Sequence, residues 1–470
     1  MLKKYGVGLV LAGMVAAQVG AEEQDAGPRR DPLDPLPYRM RALQLGERVT
    51  PMTAGREFNP AISVIFDFTY AYETEDLDAP PGFEWGHDHG HGHGHDHAHG
   101  IEEGFQLRGV ELTLTGTIDP YLDMSTTIHF TDHDVEVEEA YATTRMLPVG
   151  FQLKAGKFLS DVGYINKQHM HDWAFADQPW MREFFFGDEG LNELGVQLSW
   201  LPPTETYIRL GVEVMEGESE GIANYIGNGH HEIVTILPDN TQGPERNRWR
   251  GDKGLQEKEG PRLFTGFAKV APDIGRNHAI QLGTFGGYSR VMQMEEAHSS
   301  GRLETWDGDA WFAGVDAVYK YDGAGVMGQG NFVLQGEYLY RQLDLDYRSQ
   351  QFESFGSLIT TDQNSQRWKQ DGLYVQGIYG FWPRWDAGLR LDVLGLNNDG
   401  FEGRGTPEDF GTSYRYTGQI AYRPTEFSMI RAQAGYMDLA HGDHGHDHDD
   451  GWLFVLQFST SLGVHGAHAF

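Results

Sequence analysis

The chain of 470 residues contains no cysteine. This absence excludes disulfide bonds, thiolate metal sites and a cysteine nucleophile. Basic residues are also scarce: 36 Lys and Arg stand against 69 Asp and Glu, and the formal net charge is −33. A chain this acidic is a poor partner for nucleic acid or for anionic lipid headgroups, because both repel it. We therefore expect no nucleic acid among its partners.

Long apolar runs are also missing. After the first 21 residues, no segment offers the roughly 18 continuous apolar residues of a transmembrane helix. Residues 1–21 have the pattern of a secretory signal peptide, with Lys3 and Lys4 before a short apolar core and Val19-Gly-Ala21 as the cleavage site. A membrane anchor is the alternative, but this apolar core is too short to span a bilayer. We therefore expect an exported chain.

Alternation of apolar and polar residues is the dominant pattern in the rest of the chain. Between Ile62 and Tyr72, for example, apolar side chains fall at every second position, which is typical of a half-buried β-strand. An even number of such strands, each about ten residues long, is the signature of a bacterial membrane barrel. The pattern predicts sixteen strands, near residues 61–72, 104–118, 121–131, 134–145, 150–158, 191–201, 205–215, 261–271, 277–290, 309–321, 330–344, 369–381, 385–395, 411–423, 426–437 and 451–464.

The connections between these strands alternate in length. Short turns such as Asp119-Pro120 alternate with long segments, and the exception is the short link Thr131-Asp-His-Asp134. A soluble β-sandwich does not explain this regularity. We therefore predict an all-β fold, a sixteen-stranded antiparallel transmembrane barrel over residues 61–470 with short periplasmic turns and long external loops. Residues 22–60 are predicted to form an N-terminal periplasmic arm. The predicted long segments are 73–103, 159–190, 216–260, 291–308, 345–368, 396–410 and 438–450.

The predicted location is the outer membrane of a Gram-negative bacterium, with outer-membrane lipid as the surrounding partner. The last strand is amphipathic, and the chain ends in Phe470, which resembles the assembly signal of outer-membrane proteins. This resemblance implies the barrel-assembly machinery as a partner. A homotrimer is left open.

Strand parity places charged residues inside the barrel. Acids dominate the first four strands and basic residues the later ones, so opposite walls of a channel would carry opposite charge. The predicted barrel resembles sixteen-stranded porins, in which the corresponding long loop commonly folds inward and narrows the pore, and this resemblance implies the same for segment 159–190. The candidate constriction residues are Asp172, Asp177, Asp188, Glu189, Arg209, Lys269, Arg341, Arg390, Arg415 and Arg431.

Two histidine runs lie near opposite ends of the chain. His alternates with Gly and Asp, so imidazole groups recur at about every second position beside many carboxylates. Neutral imidazole is a good ligand for Zn²⁺, Ni²⁺ and Cu²⁺. Strand closure would bring the two runs together in one external metal-binding rim. The alternatives are a solvated low-complexity loop and a pH-sensing rim. The candidate ligands are His87, His89, His91, His93, His95, His97, His99, His441, His444, His446 and His448.

A third histidine motif lies within segment 159–190. His169 and His171, followed by Asp172, have the residue types of a metal site. Polar contacts that hold the segment in place explain the motif equally well, so both interpretations stay open.

Several short motifs resemble a family of proteobacterial sixteen-stranded porins often labelled zinc-regulated outer-membrane receptors. The similarity runs from about Phe58 to the C-terminus, and a more distant one links the chain to the phosphate-selective porin class. The label implies a role in zinc supply. The motifs are Val135-Glu-Val-Glu-Glu-Ala-Tyr141, Leu153-Lys-Ala-Gly-Lys157, His169-Met-His171, Asp177-Gln-Pro179 and Gly187-Asp-Glu-Gly-Leu-Asn192.

The combined prediction is a porin-like channel that captures divalent metal, with zinc as the first candidate, and admits it passively to the periplasm. Ni²⁺ and Cu²⁺ are further candidates, and no organic cofactor is expected. The alternative is a general or anion-selective porin whose histidine loops only buffer surface metal or sense pH. An outer-membrane enzyme or adhesin is a third class. We expect no enzyme, since Gly-x-Ser-x-Gly is absent and no convincing Ser-His-Asp set is found.

Overall fold

A computed structural model describes residues 60–75, 77, 79–83, 101–131, 134–228, 230–236, 246–298, 301–352, 358–401, 403–440 and 450–463. The predicted signal peptide, almost all of the N-terminal arm, and both histidine runs (residues 87–99 and 441–448) lie outside these described residues. Among the described residues, no helix is both long enough and apolar enough to cross a bilayer.

Sixteen antiparallel strands form one closed barrel, as predicted. Each strand pairs with its neighbours in sequence, and the last strand pairs with the first, for example through Phe68 and Phe458. Closure leaves no unpaired barrel edge, which a membrane environment requires. The strands are β1 (Ala61–Glu73), β2 (Gly104–Thr117), β3 (Leu122–Phe130), β4 (Val135–Thr144), β5 (Phe151–Leu159), β6 (Asn192–Trp200), β7 (Tyr207–Met215), β8 (Leu263–Ala271), β9 (His278–Ala297), β10 (Arg302–Tyr321), β11 (Phe332–Phe352), β12 (Leu358–Trp382), β13 (Trp385–Gly400), β14 (Ser413–Thr425), β15 (Ser428–Asp438) and β16 (Asp450–Gly463).

Successive side chains of each strand point to opposite faces of the barrel wall, and the two faces differ in exposure. On β16, Trp452, Phe454 and Leu456 are exposed on the outer face, while the alternate residues Leu453 and Gln457 are buried. Exposed large apolar side chains also follow the outer face of the other strands, as at Val212 and Leu389. An apolar outer face around a closed barrel suits a lipid environment.

Three segments predicted as loops contain parts of the barrel sheet, and that part of the prediction is wrong. Segments 291–308 and 345–368 are largely the ends of β9 to β12, which are 20, 20, 21 and 25 residues long. In segment 396–410, β13 continues to Gly400 and pairs with the short strand Glu408–Asp409. A membrane strand needs only about 9–11 residues. The extra length of β9 to β12 therefore rises above the external side of the bilayer.

The long segment between β7 and β8 also contains regular structure. The one-turn helix α2 (Glu220–Ala223) follows β7, and a separate two-stranded hairpin pairs His230–Ile236 with Arg246–Asp252. The helix α1 (Trp180–Phe186) lies earlier, between β5 and β6.

The interior of the barrel is filled by the segment between β5 and β6, residues 160–191, which we call the lumen loop. All seven residues of α1 are buried, and Trp180, Phe184 and Phe185 are fully inaccessible. They belong to an apolar cluster that also includes the wall residues Phe312 and Leu394. Burial of these aromatic rings holds the lumen loop inside the barrel.

Candidate metal centre and lumen constriction

The lumen loop is fixed to the basic wall by a cycle of buried charges. The carboxylate of Asp177 lies 2.8 Å from Arg390 and 2.9 Å from Arg415. Both arginines also contact Asp392, at 2.9 and 3.0 Å. Two arginines and two aspartates balance in charge, which is the condition under which charges tolerate burial.

Further hydrogen bonds complete this attachment. Gln433 donates to Asp177 at 2.7 Å, and the backbone N–H of Trp180 donates to Asp392 at 3.0 Å. Burial alone would raise the pKa of Asp177, but Arg390 and Arg415 outweigh burial and lower it. Asp177 is therefore ionised at neutral pH.

A second buried carboxyl group on the lumen loop has the opposite behaviour. Glu183, in α1, is fully buried, and neither of its oxygens has a hydrogen-bond partner among the described residues. Burial raises the pKa of Glu183 well above its usual range, against the attraction of Arg415. Burial therefore favours the neutral form of Glu183.

The other predicted constriction residues occupy separate positions. Arg209 lies 3.1 Å from Asp161. Arg341 donates to the backbone carbonyls of Phe184 and Gly221, and Arg431 donates to that of Trp173 at 3.0 Å. These three arginines therefore contact the lumen loop as well as facing the interior of the barrel.

The predicted acids of the lumen loop do not act as one group. Of the four predicted acids, Asp177 forms the ion pairs with arginines of the barrel strands. Asp172 lies 3.3 Å from His171, and Asp188 and Glu189 are exposed. Glu189 lies 3.8 Å from Lys157 of β5, so it meets a basic residue of a different part of the wall.

On the opposite wall, histidines of the lumen loop meet glutamates of β2 and β4. Nδ1 of His169 lies 3.1 Å from Glu138, and Nε2 lies 3.0 Å from Glu139. Nδ1 of His171 lies 2.9 Å from Glu111. We call these five residues, with Asp172, the lumen donor cluster.

A β-bulge in β4 creates this arrangement. The register between β3 and β4 shifts after Thr127, which pairs with Glu139, and Ile128, which pairs with Val137. Glu138 is the extra residue, so Glu138 and Glu139 both reach the same imidazole. Strict alternation along β4 places Glu136 and Glu138 on one face and therefore misses Glu139. A regular alternation of faces does not predict a bulge. The sequence signal was the adjacent pair among the three glutamates, which interrupts the alternation.

The geometry of the cluster suits a divalent ion. One donor atom from each of Glu111, Glu138 and His169 lies within 4.8 Å of the others. Zinc is usually tetrahedral with ligands at about 2.0–2.2 Å, which places its donor atoms about 3.4 Å apart. Nδ1 of His169 lies 3.1 Å from Glu138 and 3.9 Å from Glu111. A small contraction of the three side chains is therefore enough to coordinate an ion.

A third imidazole faces the interior on the same wall. His129 of β3 pairs across the sheet with Glu111, and its buried Nε2 atom has no hydrogen-bond partner among the described residues. Gly109 makes room for this ring, because a Cβ atom at position 109 would lie 1.8 Å from Nε2. The sequence prediction did not include His129.

The glutamates also control the charge of the two loop histidines. Burial alone would lower the pKa of His169, but attraction to Glu138 and a hydrogen bond to Glu139 raise it well above its usual range. Burial likewise opposes the charged form of His171, and Asp172 and Glu111 outweigh it and raise its pKa. Without a metal ion, the carboxylates around His169 therefore favour its imidazolium form.

These features define the class of the protein. A closed sixteen-stranded antiparallel barrel, apolar outside and charged inside, is a porin-like barrel of the Gram-negative outer membrane. The chain belongs to the same family as a protein of Aquifex aeolicus (strain VF5) described as uncharacterized. The two are 33% identical over 430 residues, which is 88% of this chain and 81% of that protein.

No family model matches the chain. The resemblance to porins labelled zinc-regulated outer-membrane receptors therefore stays a prediction. Solved structures similar to this chain include OmpT of Vibrio cholerae, at 8% identity over 86% of this chain and 97% of that chain, with a TM-score of 0.47. The outer membrane channel DcaP of Acinetobacter baumannii has 11% identity over 86% and 96%, with a TM-score of 0.45. The anion-selective porin from Comamonas acidovorans has 11% identity over 86% and 99%, with a TM-score of 0.43.

Proposed function

We propose that this barrel is a channel for divalent metal ions, with zinc as the first candidate, and that ions cross passively by way of the lumen donor cluster. The observation that carries the proposal is the meeting of Glu111, Glu138 and His169 within 4.8 Å inside the barrel. Imidazole nitrogen and carboxylate oxygen are common zinc ligands. The two external histidine runs would collect ions from the medium and raise their concentration at the entrance.

The lumen loop gives this channel its selectivity. It occupies the interior, so a solute has to pass beside it or displace part of it. Its attachment on the basic side is charge-balanced, while its attachment on the acidic side brings together Glu111, Glu138 and Glu139. A dication is therefore favoured at the acidic side, since carboxylates there outnumber the histidines they contact.

Selectivity for small anions is the second candidate function. Lys269 of β8 favours it, because this side chain is buried in the lumen and its Nζ atom has no hydrogen-bond partner among the described residues. An amine in that state offers a binding position to an anion. The histidine runs would then only buffer surface metal or sense pH.

Planar bilayers with a gradient of zinc chloride separate the two functions. A zinc channel moves the reversal potential toward the equilibrium potential of Zn²⁺, and an anion channel moves it toward that of chloride. The variant His169→Asn should lose the zinc preference. The matched control is Glu205→Gln, which neutralises an exposed acid in the turn between β6 and β7. A wild-type reversal potential at the chloride value would overturn the zinc proposal.

A further inference from the structure

The tip of the β9–β10 hairpin, above the external side of the bilayer, carries a second group of metal-ligand types. Glu296 and Glu304 lie directly opposite each other in the register of the two strands. Nε2 of His298 lies 2.6 Å from Glu304 and 3.6 Å from Glu296. One donor atom from each residue lies within 4.8 Å of the others. We call these three residues the hairpin site.

Two features indicate that this site takes a cation. Like charges directly opposite in an antiparallel pair destabilise it, so the Glu296–Glu304 pairing needs positive charge beside it. The structure already holds a cationic group there, because the guanidinium of Arg302 lies 3.3 Å from Glu304 and 3.2 Å from His298. The side chain of Arg302 is 46% exposed, so it can turn into solvent when an ion arrives.

The second carboxylate oxygen of Glu304 fixes this residue in place. It accepts a hydrogen bond from the hydroxyl group of Tyr347 on β11, and Glu304 is buried. A buried carboxylate held on one side and open to a cation on the other is a preorganised ligand. Glu296, which is more exposed, can adjust to the ion.

We propose that Glu296, His298 and Glu304 bind one divalent transition-metal ion of the Zn²⁺ class, in exchange for the guanidinium of Arg302. The imidazole ligand favours such an ion over Ca²⁺ and Mg²⁺, which prefer all-oxygen sites. The bound ion links the tip of β9 to β10, and Glu304 extends that link to β11. This site stands on its own geometry and does not rest on the channel function.

Anomalous X-ray diffraction locates the ion directly in the full-length protein. Data from zinc-soaked crystals are collected just above and just below the zinc absorption edge. We expect a zinc peak at about 2.0–2.2 Å from a nitrogen of His298 and from oxygens of Glu296 and Glu304, with Arg302 turned away. The lumen donor cluster and the histidine runs lie elsewhere in the chain, so their peaks are counted separately.

Three variants test the ligand assignment. His298→Ala should remove the hairpin peak and weaken binding by at least about tenfold, since even the loss of an outer-shell partner costs that much. Arg302→Ala should strengthen binding, because the competing cation is gone. The control is His278→Ala, which changes a histidine at the other end of β9 whose Nδ1 atom lies 2.7 Å from the hydroxyl group of Tyr319.

Each outcome decides the proposal. A hairpin peak in the wild type and in His278→Ala, lost in His298→Ala, supports it. No peak at the hairpin in crystals that carry zinc elsewhere overturns it, and so does a hairpin peak that His298→Ala leaves unchanged. If the hairpin peak is present but zinc does not cross bilayers, the channel proposal fails alone and the hairpin site stands.

Discussion

Nδ1 of His169 lies 3.1 Å from Oε1 of Glu138, so a histidine of the lumen loop is in ionic contact with the barrel wall. Asp177 attaches the same loop to the opposite wall through Arg390 and Arg415. The lumen loop is therefore held at two chemically different ends. The attachment to the basic wall is balanced in charge. In the attachment to the acidic wall, the cation is the imidazolium group of His169, and a metal ion can replace it.

Zinc binding in the lumen should release about one proton at pH 7.5. The pKa of His169 is raised well above its usual value, which favours the protonated form, and a protonated imidazole must lose its proton to coordinate an ion. A histidine with an ordinary pKa of about 6.5 is only about 10% protonated there. Calorimetry in two buffers with different ionisation enthalpies measures the released protons, in a variant that lacks both histidine runs.

His169→Asn should abolish this proton release. The raised pKa of His169 also has a consequence without metal. The charged form of His169 contributes fully to loop attachment below about pH 6.5, and this contribution is lost as the pH rises through the raised pKa. If zinc binds at pH 7.5 without releasing a proton, then His169 either is not protonated before binding or does not coordinate the ion.

Asp177→Asn should loosen the lumen loop. Removal of one partner from a buried ion pair costs about 3–5 kcal/mol, because the remaining charges stay buried and unbalanced. We expect the loop to leave its position more often, so that single-channel conductance rises. The reversal potential in potassium chloride should shift toward anions, since two arginines then face one aspartate.

Glu183→Gln provides the matched control for that prediction. Glu183 lies on the same loop and is fully buried, but its raised pKa favours the neutral form, which a glutamine resembles in charge and size. Conductance and selectivity should remain those of the wild type. Equal conductance and equal reversal potential in Asp177→Asn and Glu183→Gln would remove the ion-pair cycle from the account.

The barrel itself was predictable because a lipid-facing wall imposes a strict pattern. Every second residue of strands such as β16 must be apolar where it meets lipid, and all sixteen strands were found from that period. The strand ends above the bilayer were missed for the same reason. Residues such as Asp307, Asp344 and Asp346 interrupt the apolar pattern, but backbone pairing continues without any need for apolar side chains.

The interior was less predictable than the wall. Parity placed Arg390 and Arg415 inside, but it carries no information on the path of the lumen loop, which brings Asp177 between them. His169 and His171 were open candidates, and their partners Glu111, Glu138 and Glu139 depend on loop docking and on a bulge. Long-range placement of this kind is decided by packing.

The external histidine runs should account for most of the zinc capacity. Deletion of residues 86–99 should lower the number of ions bound at pH 7.5, and deletion of residues 441–448 as well should lower it further. Binding should weaken as the pH falls through about 6.5, because protonated imidazole cannot coordinate a metal. Calorimetry at pH 7.5 and pH 5.5 on the three proteins checks this, and equal capacity in all three would contradict the metal rim.

Gly109→Ala should weaken zinc binding in the lumen. The added Cβ atom would lie 1.8 Å from Nε2 of His129, so this imidazole has to turn away from the interior. The control is Gly418→Ala, where the nearest atom lies at an ordinary 3.6 Å. If both variants bind zinc as the wild type does, His129 takes no part in the site.

Zinc influx into liposomes shows whether ions pass through the lumen donor cluster. Purified wild-type protein is compared with the variant Glu111→Gln/Glu138→Gln/His169→Asn and with the control Glu205→Gln, with a zinc-sensitive dye inside the vesicles and chloride flux measured in parallel. Loss of three ligands should reduce zinc influx by at least about tenfold, while chloride flux persists and the control matches the wild type. Zinc influx in the triple variant equal to that of the wild type would contradict passage through the lumen donor cluster.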